Sequence, residues 1–138
     1  MINILIVTHG PLASALVETS NMIMGSDSNI STLSLLEGVD PEVYKEEVHK
    51  MIDDIYNENG LIILADLYGG TPANIVLSKL FELGFPNDIL TYSGVNLPLL
   101  LEVVAMSSNG TIESIKNNIS QVKSDLICDI TSKFKGNT

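Results

Sequence analysis

Ile2–Val7 is an apolar run rich in β-branched residues that stops at Thr8-His9-Gly10. That is the pattern of a strand buried on both faces of a parallel sheet. Pro11 suits the first turn of a helix. Leu12, Leu16, Met22 and Ile23 give Ala13–Met24 an apolar stripe, and Gly25 stops it. Ile30–Leu36 predicts a second strand. Asp40-Pro41 opens an amphipathic helix that carries Val43, Val48, Met51, Ile52 and Ile55 and ends at Asn59-Gly60. Leu61–Ala65 is a third, wholly apolar strand, ended by Asp66. Thr71 has the character of a helix N-cap with Pro72 at the first helical position. This helix runs to about Leu83, where Gly84 closes it. Asp88–Tyr92 predicts a fourth strand. Further helices are expected from Asn96-Leu97-Pro98 to about Met106 and over about Thr111–Lys123. The tail Leu126–Ile130 alternates and predicts a short strand.

Strands alternating with helices in this way imply right-handed crossovers and an α/β fold, a single-domain open parallel sheet with helices on both faces. No internal repeat, linker or low-complexity stretch interrupts it.

Composition narrows the class. The chain has 138 residues, 45% of them apolar, enough for one sizeable core and too many for disorder. No apolar run approaches the ~20 residues of a membrane helix. The N-terminus passes directly into Ile2–Val7 without a basic region or cleavage site, so no signal peptide is expected. The single cysteine, Cys128, permits no internal disulfide and reads as a small tail hydrophobe. A reduced, cytoplasmic setting is expected. The formal charge is −10, with seven lysines and no arginine. Nucleic-acid binding, which relies on basic surfaces, is therefore not expected. Any phosphate ligand must be met by backbone N–H groups, hydroxyls, helix ends or lysine rather than by an arginine clamp.

In open α/β sheets ligands bind outside the carboxyl ends of the strands. Three such ends carry unusual residues: Thr8-His9-Gly10, Asp66 with the Gly69-Gly70-Thr71 turn, and Ser93-Gly94-Val95-Asn96. If strands one and three are neighbours, His9 and Asp66 meet. A neutral imidazole is a good nucleophile towards phosphorus. A carboxylate on one ring nitrogen fixes the tautomer and frees the other nitrogen to attack. The helix beginning at Pro11 offers a positive dipole end. Gly69 and Gly70 can present backbone N–H groups, and Thr71 a hydroxyl. No metal or cofactor is expected. His49, set among charged neighbours, reads as a solvated surface residue.

At these residues the chain resembles the IIA domain of the mannose/fructose/sorbose-type sugar phosphotransferase system. The resemblance is carried by Val7-Thr8-His9-Gly10, by Ala65-Asp66-Leu67-Tyr68-Gly69-Gly70-Thr71-Pro72-Ala73-Asn74, and by Ser93-Gly94-Val95-Asn96-Leu97-Pro98-Leu99-Leu100. Their order and spacing match over essentially the whole chain. The resemblance implies that His9 is the phosphorylated histidine and that Asp66 holds its ring. It places Thr71 at the phosphate pocket, with Gly69, Gly70 and Gly10 around it. It implies a histidine-containing phosphocarrier protein as donor, charged from phosphoenolpyruvate by enzyme I. The implied acceptor is a IIB component, serving a sugar imported through membrane IIC and IID components. It also implies a sheet of order 2-1-3-4 in a homodimer that exchanges a C-terminal strand, which would account for Leu126–Ile130. With the chain ending at Thr138, a separate IIB is expected.

Three other readings compete. A related subfamily phosphorylates a dihydroxyacetone kinase, but the Gly-Gly-Thr-Pro-Ala-Asn and Gly-Val-Asn-Leu-Pro runs favour the sugar branch. A receiver-like signalling domain would be phosphorylated on an aspartate placed like Asp66, yet it needs an acidic pair after strand one, where Thr8-His9 stand. A nucleotide-binding module would need a Walker lysine after Gly69-Gly70-Thr71, and Lys79 lies two helical turns on.

Overall fold

A computed structural model describes residues 1–26 and 29–135; the end of the chain at Thr138 lies outside the described residues. Four parallel strands form one sheet: β1 (Asn3–His9), β2 (Ile30–Leu35), β3 (Leu61–Ala65) and β4 (Ile89–Tyr92), in the order β2-β1-β3-β4. Around them lie α1 (Leu12–Met24), α2 (Pro41–Ile55), α3 (Thr71–Leu83), α4 (Leu97–Ser107) and α5 (Ile112–Val122). A 3-10 turn over Lys123–Asp125 and a short α6 (Ile130–Lys135) complete the described residues.

The two-residue period of a strand sends alternate side chains of β1 into two different cores. Ile4 and Ile6 pack with α1, α4 and α5, while Leu5 and Val7 pack with α2 and α3. β3 does the same, and Ile62, Ile63 and Leu64 are wholly buried. Each such side chain contributes about 1.5–3 kcal/mol. Burial on both faces is why the central strands β1 and β3 read as continuous apolar runs rather than alternating ones.

The structure departs from the sequence expectation at several places. Met22 and Ile23 are exposed; α1 faces the core through Ala13, Leu16 and Val17. In α2 the buried position is Tyr44, with Val43 exposed. That helix stops at Ile55, because Tyr56 is extended and Asn57 and Gly60 close a bridged turn. His49 is not a solvated surface residue. Its side chain is 19% exposed, and its Nε2 lies 3.0 Å from Ser78 Oγ and 3.1 Å from the Ile75 carbonyl, joining α2 to α3. Cys128 is exposed. The strand expected over Leu126–Ile130 is not formed in the single chain, whose local helical turns lie on either side of it. A strand without a partner leaves its N–H and C=O groups unpaired, and none of the four strands is paired with this segment. Among the described residues, no helix is long and apolar enough to cross a membrane.

Candidate functional site

The strand order reverses direction between β1 and β3, and the crevice beyond a topological switch point is where open α/β sheets bind ligands. The strand ladder itself opens there. β1 pairs with β2 as far as His9 and Leu35, but it pairs with β3 only as far as Val7 and Ala65. β3 ends one residue before Asp66, so His9 loses its neighbouring backbone acceptor on that side. The Asp66 side chain takes the vacated role: its Oδ2 accepts the main-chain N–H of His9 at 2.9 Å.

The same oxygen lies 2.9 Å from His9 Nδ1. A carboxylate only accepts, so Nδ1 carries the hydrogen and donates it. In the neutral ring this geometry selects the Nδ1–H tautomer, which leaves the Nε2 lone pair free. The His9 side chain is 47% exposed and that of Asp66 13%. Asp66 Oδ1 is fully buried without a hydrogen-bond partner among the described residues. The loop after β4 braces the turn, with Gly94 N–H donating to Asp66 O at 3.2 Å and Val95 N–H to Ala65 O at 3.0 Å.

The N-termini of the helices that follow β1 and β3 differ. At α1, Pro11 occupies the cap position, and the Ala13 N–H is taken by the buried Thr8 hydroxyl at 2.9 Å. At α3 the N-cap is Gly70, not Thr71; Thr71 and Pro72 are the first two helical residues, and no side chain caps the helix. The first-turn N–H groups of a helix have no intrahelical acceptor. No acidic residue sits in this first turn, so the positive end of α3 is uncompensated. It abuts the imidazole, since a β-carbon built on Gly70 would lie 2.8 Å from His9 Cε1.

The remaining residues expected at the site are placed as follows. Gly69 has φ +81° and open space around its α-carbon, so it is a glycine for its left-handed backbone. Asn74 clamps this turn through Nδ2 to the Gly69 carbonyl at 3.1 Å. The N–H groups of Gly10 and Gly70 are engaged by the carbonyls of Leu35 and Leu67 and are not presented outward. Thr71 is half-buried. Beneath the site, Tyr44 donates its hydroxyl to the Leu33 carbonyl at 2.7 Å. Burial, together with the carboxylates of Asp66 and Glu47, holds this phenol well above its usual pKa, so it stays neutral.

The sequence places Thr8 and Asn74 in these motifs without showing their roles, and it gives no sign of Tyr44. A threonine ending an otherwise apolar buried strand is the one signal that pointed to the first. Among the described residues no group of three or more His, Cys, Asp or Glu is placed to hold a metal. Exposed Leu12, Leu67 and Tyr68 lie near the site in the chain. A cleft of about 200 Å³ lined by Tyr68, Ala73, Leu77, Thr91 and Tyr92 adjoins the Gly69 turn.

The sequence profile of the family described as PTS (phosphotransferase system) system fructose IIA component matches residues 3–120. The chain is 33% identical over 119 residues to the PTS system fructose-specific EIIA component of Bacillus subtilis (strain 168), covering 86% of this chain and 80% of that protein. It is 29% identical over 107 residues to the PTS system mannose-specific EIIAB component of Escherichia coli (strain K12). That match covers 75% of this chain but 31% of the longer protein. In fold it is similar to the crystal structure of phosphotransferase system component EIIA from Streptococcus agalactiae. The TM-score is 0.82 at 23% identity, over 96% of this chain and 99% of that one. On the profile match and the Bacillus relative, the chain belongs to the fructose IIA family, the IIA phosphotransferase components of the mannose/fructose/sorbose-type sugar phosphotransferase system.

Proposed function

We propose that His9 accepts a phosphoryl group on Nε2 from a histidine-containing phosphocarrier protein and passes it to a IIB component during sugar uptake. The observation that carries this reading is the shared oxygen of Asp66, 2.9 Å from both the main-chain nitrogen of His9 and its Nδ1. In the first step the phosphorus–nitrogen bond of the donor breaks as the Nε2–phosphorus bond forms. The Nδ1 proton stays in place, and the ring gains positive charge beside a carboxylate. In the second step an acceptor atom of the IIB component bonds to phosphorus as the Nε2–phosphorus bond breaks, and Nε2 recovers its lone pair. The uncapped N-terminus of α3, with Thr71 and Gly69, supplies the electrostatic stabilisation that the arginine-free composition must find elsewhere.

Asp66 suits the acceptor role of a receiver domain poorly. One of its oxygens is already bonded to His9, and the other is buried. The exposed apolar residues Leu12, Leu67 and Tyr68 suit docking of the two partner proteins. The exposed Ile127, Ile130 and Phe134 of the tail suit cover by a second copy in a homodimer that exchanges this segment. A cytoplasmic location and indirect association with membrane IIC and IID components complete the proposal.

The test is phosphorylation from radiolabelled phosphoenolpyruvate in the presence of enzyme I and the phosphocarrier protein. The expected product keeps its label in base and loses it in acid, as a phosphohistidine does and an acyl phosphate does not. Incorporation of label by a His9→Ala protein refutes the assignment.

A further inference from the structure

Two adjacent glycines in the turn after β3 are glycines for different reasons. Gly69 needs its positive φ. Gly70 does not: its φ of −78° and ψ of 165° are ordinary extended backbone that any residue adopts. What a side chain would meet at Gly70 is the imidazole. An ideal β-carbon there lies 2.8 Å from His9 Cε1, and its next neighbours are the Leu67 carbonyl at 3.3 Å and Leu67 Cβ at 3.5 Å. The first of these distances is too short for atoms in contact; the second is tight and asks the Leu67 carbonyl to give by a few tenths of an ångström, and the third is ordinary contact.

The ring is therefore bounded on two sides. Its Nδ1 edge is tied to Asp66 Oδ2, and its Cε1 edge rests against the bare α-carbon of Gly70. Cε1 is bonded to both nitrogens, so a push at that atom moves Nδ1 and Nε2 together. We infer that Gly70 is a positioning residue whose missing side chain sets the plane in which the His9 ring bonds Asp66 and points Nε2 outward. For transfer this rests on the reading of His9 as phosphoryl acceptor; for the geometry of the ring it does not.

The test is a double-mutant cycle with a spectroscopic readout, neither of which involves phosphate. Gly70→Ala lowers the folding equilibrium constant by at least about tenfold when His9 is present. In the His9→Ala background, where the obstructing atom is gone, it lowers it by less than about threefold. If Gly70→Ala alone fails to fold, the His9→Ala/Gly70→Ala protein still folds. Nitrogen-15 spectra of the neutral imidazole show one dominant Nδ1–H tautomer in the parent and a mixture containing Nε2–H in Gly70→Ala. The transfer rate falls with the tautomer, while the KM for the donor protein stays within about twofold, since the donor meets the surface and not the ring plane.

An equal penalty for Gly70→Ala with and without His9 overturns the inference. So does an unchanged tautomer in a folded Gly70→Ala protein. Failure of His9 to take up label, with the cycle as described, removes the phosphotransfer reading and leaves the positioning role standing.

Discussion

Replacing Asp66 by asparagine keeps the shape of the side chain and removes its charge. In the parent, Oδ2 accepts two N–H groups of His9, each at 2.9 Å. The amide oxygen of asparagine accepts the same two, so the turn stays closed. The change from charge-assisted to neutral hydrogen bonds costs about 1 kcal/mol of stability for the pair. In the proposed transfer the effect is larger, because phosphorylation of Nε2 with Nδ1 still protonated would make the ring cationic. Two unit charges 4 Å apart near a protein surface interact by about 4 kcal/mol. With His9 47% exposed and its charge only partly developed in the transition state, about 1.5–3 kcal/mol is lost. At 1.36 kcal/mol per decade this is a fall of roughly 10- to 150-fold. The assay is rapid-quench phosphorylation of Asp66→Asn by an excess of phosphorylated donor protein, with circular dichroism confirming the fold. A rate within about twofold of the parent refutes the argument that the carboxylate stabilises the charged ring. Loss of the fold refutes the argument that Asp66 serves chemistry rather than stability.

Two further outcomes follow from groups beside and away from the site. Thr8→Val is isosteric but leaves the buried Ala13 N–H without its acceptor, so denaturant unfolding should show a loss of about 1–3 kcal/mol. Tyr56 donates to Asp88, and this bond, with burial and the Asp88 charge, pushes its pKa from 10.0 up to about 12. The native state then holds this proton longer than the unfolded chain does. Its contribution to stability is complete below pH 10 and is lost as pH rises from 10 to about 12. Melting temperatures of the parent should fall more steeply across that window than those of Tyr56→Phe; parallel curves refute the assignment.

How much of this was legible before the fold was known depends on whether the cause is local. β3 is Leu61–Ala65 in sequence and in structure, because five consecutive apolar residues closed by Asp66 have few alternatives. Gly84 caps α3 in the left-handed conformation, a requirement written into one residue. The meeting of His9 and Asp66 followed from the strand order, since both end central strands. Other features are set across the fold and leave no local trace. His49 bridges α2 and α3 only because those helices pack together. Tyr44 displaces Val43 from the core because its hydroxyl reaches the Leu33 carbonyl. The ring of His9, distant in sequence, is why position 70 can carry no side chain, and no local pattern in the sequence shows it. Leu126–Ile130 alternates like a strand, but periodicity is silent on whether the same chain offers an edge to pair with it.

The oxygen that His9 shares between its ring and its main chain has a consequence for the molecule as a switchable object. A carboxylate anchored only by the imidazole would lose its restraint each time the ring tilted, charged or acquired a bulky substituent. The turn that carries it would then loosen in step. Here the main-chain N–H of the same residue keeps Asp66 seated whatever the ring is doing. Under the proposed phosphotransfer, loaded and unloaded forms would therefore share one rigid platform, and a partner reading the surrounding surface would meet the same contours before and after the chemistry.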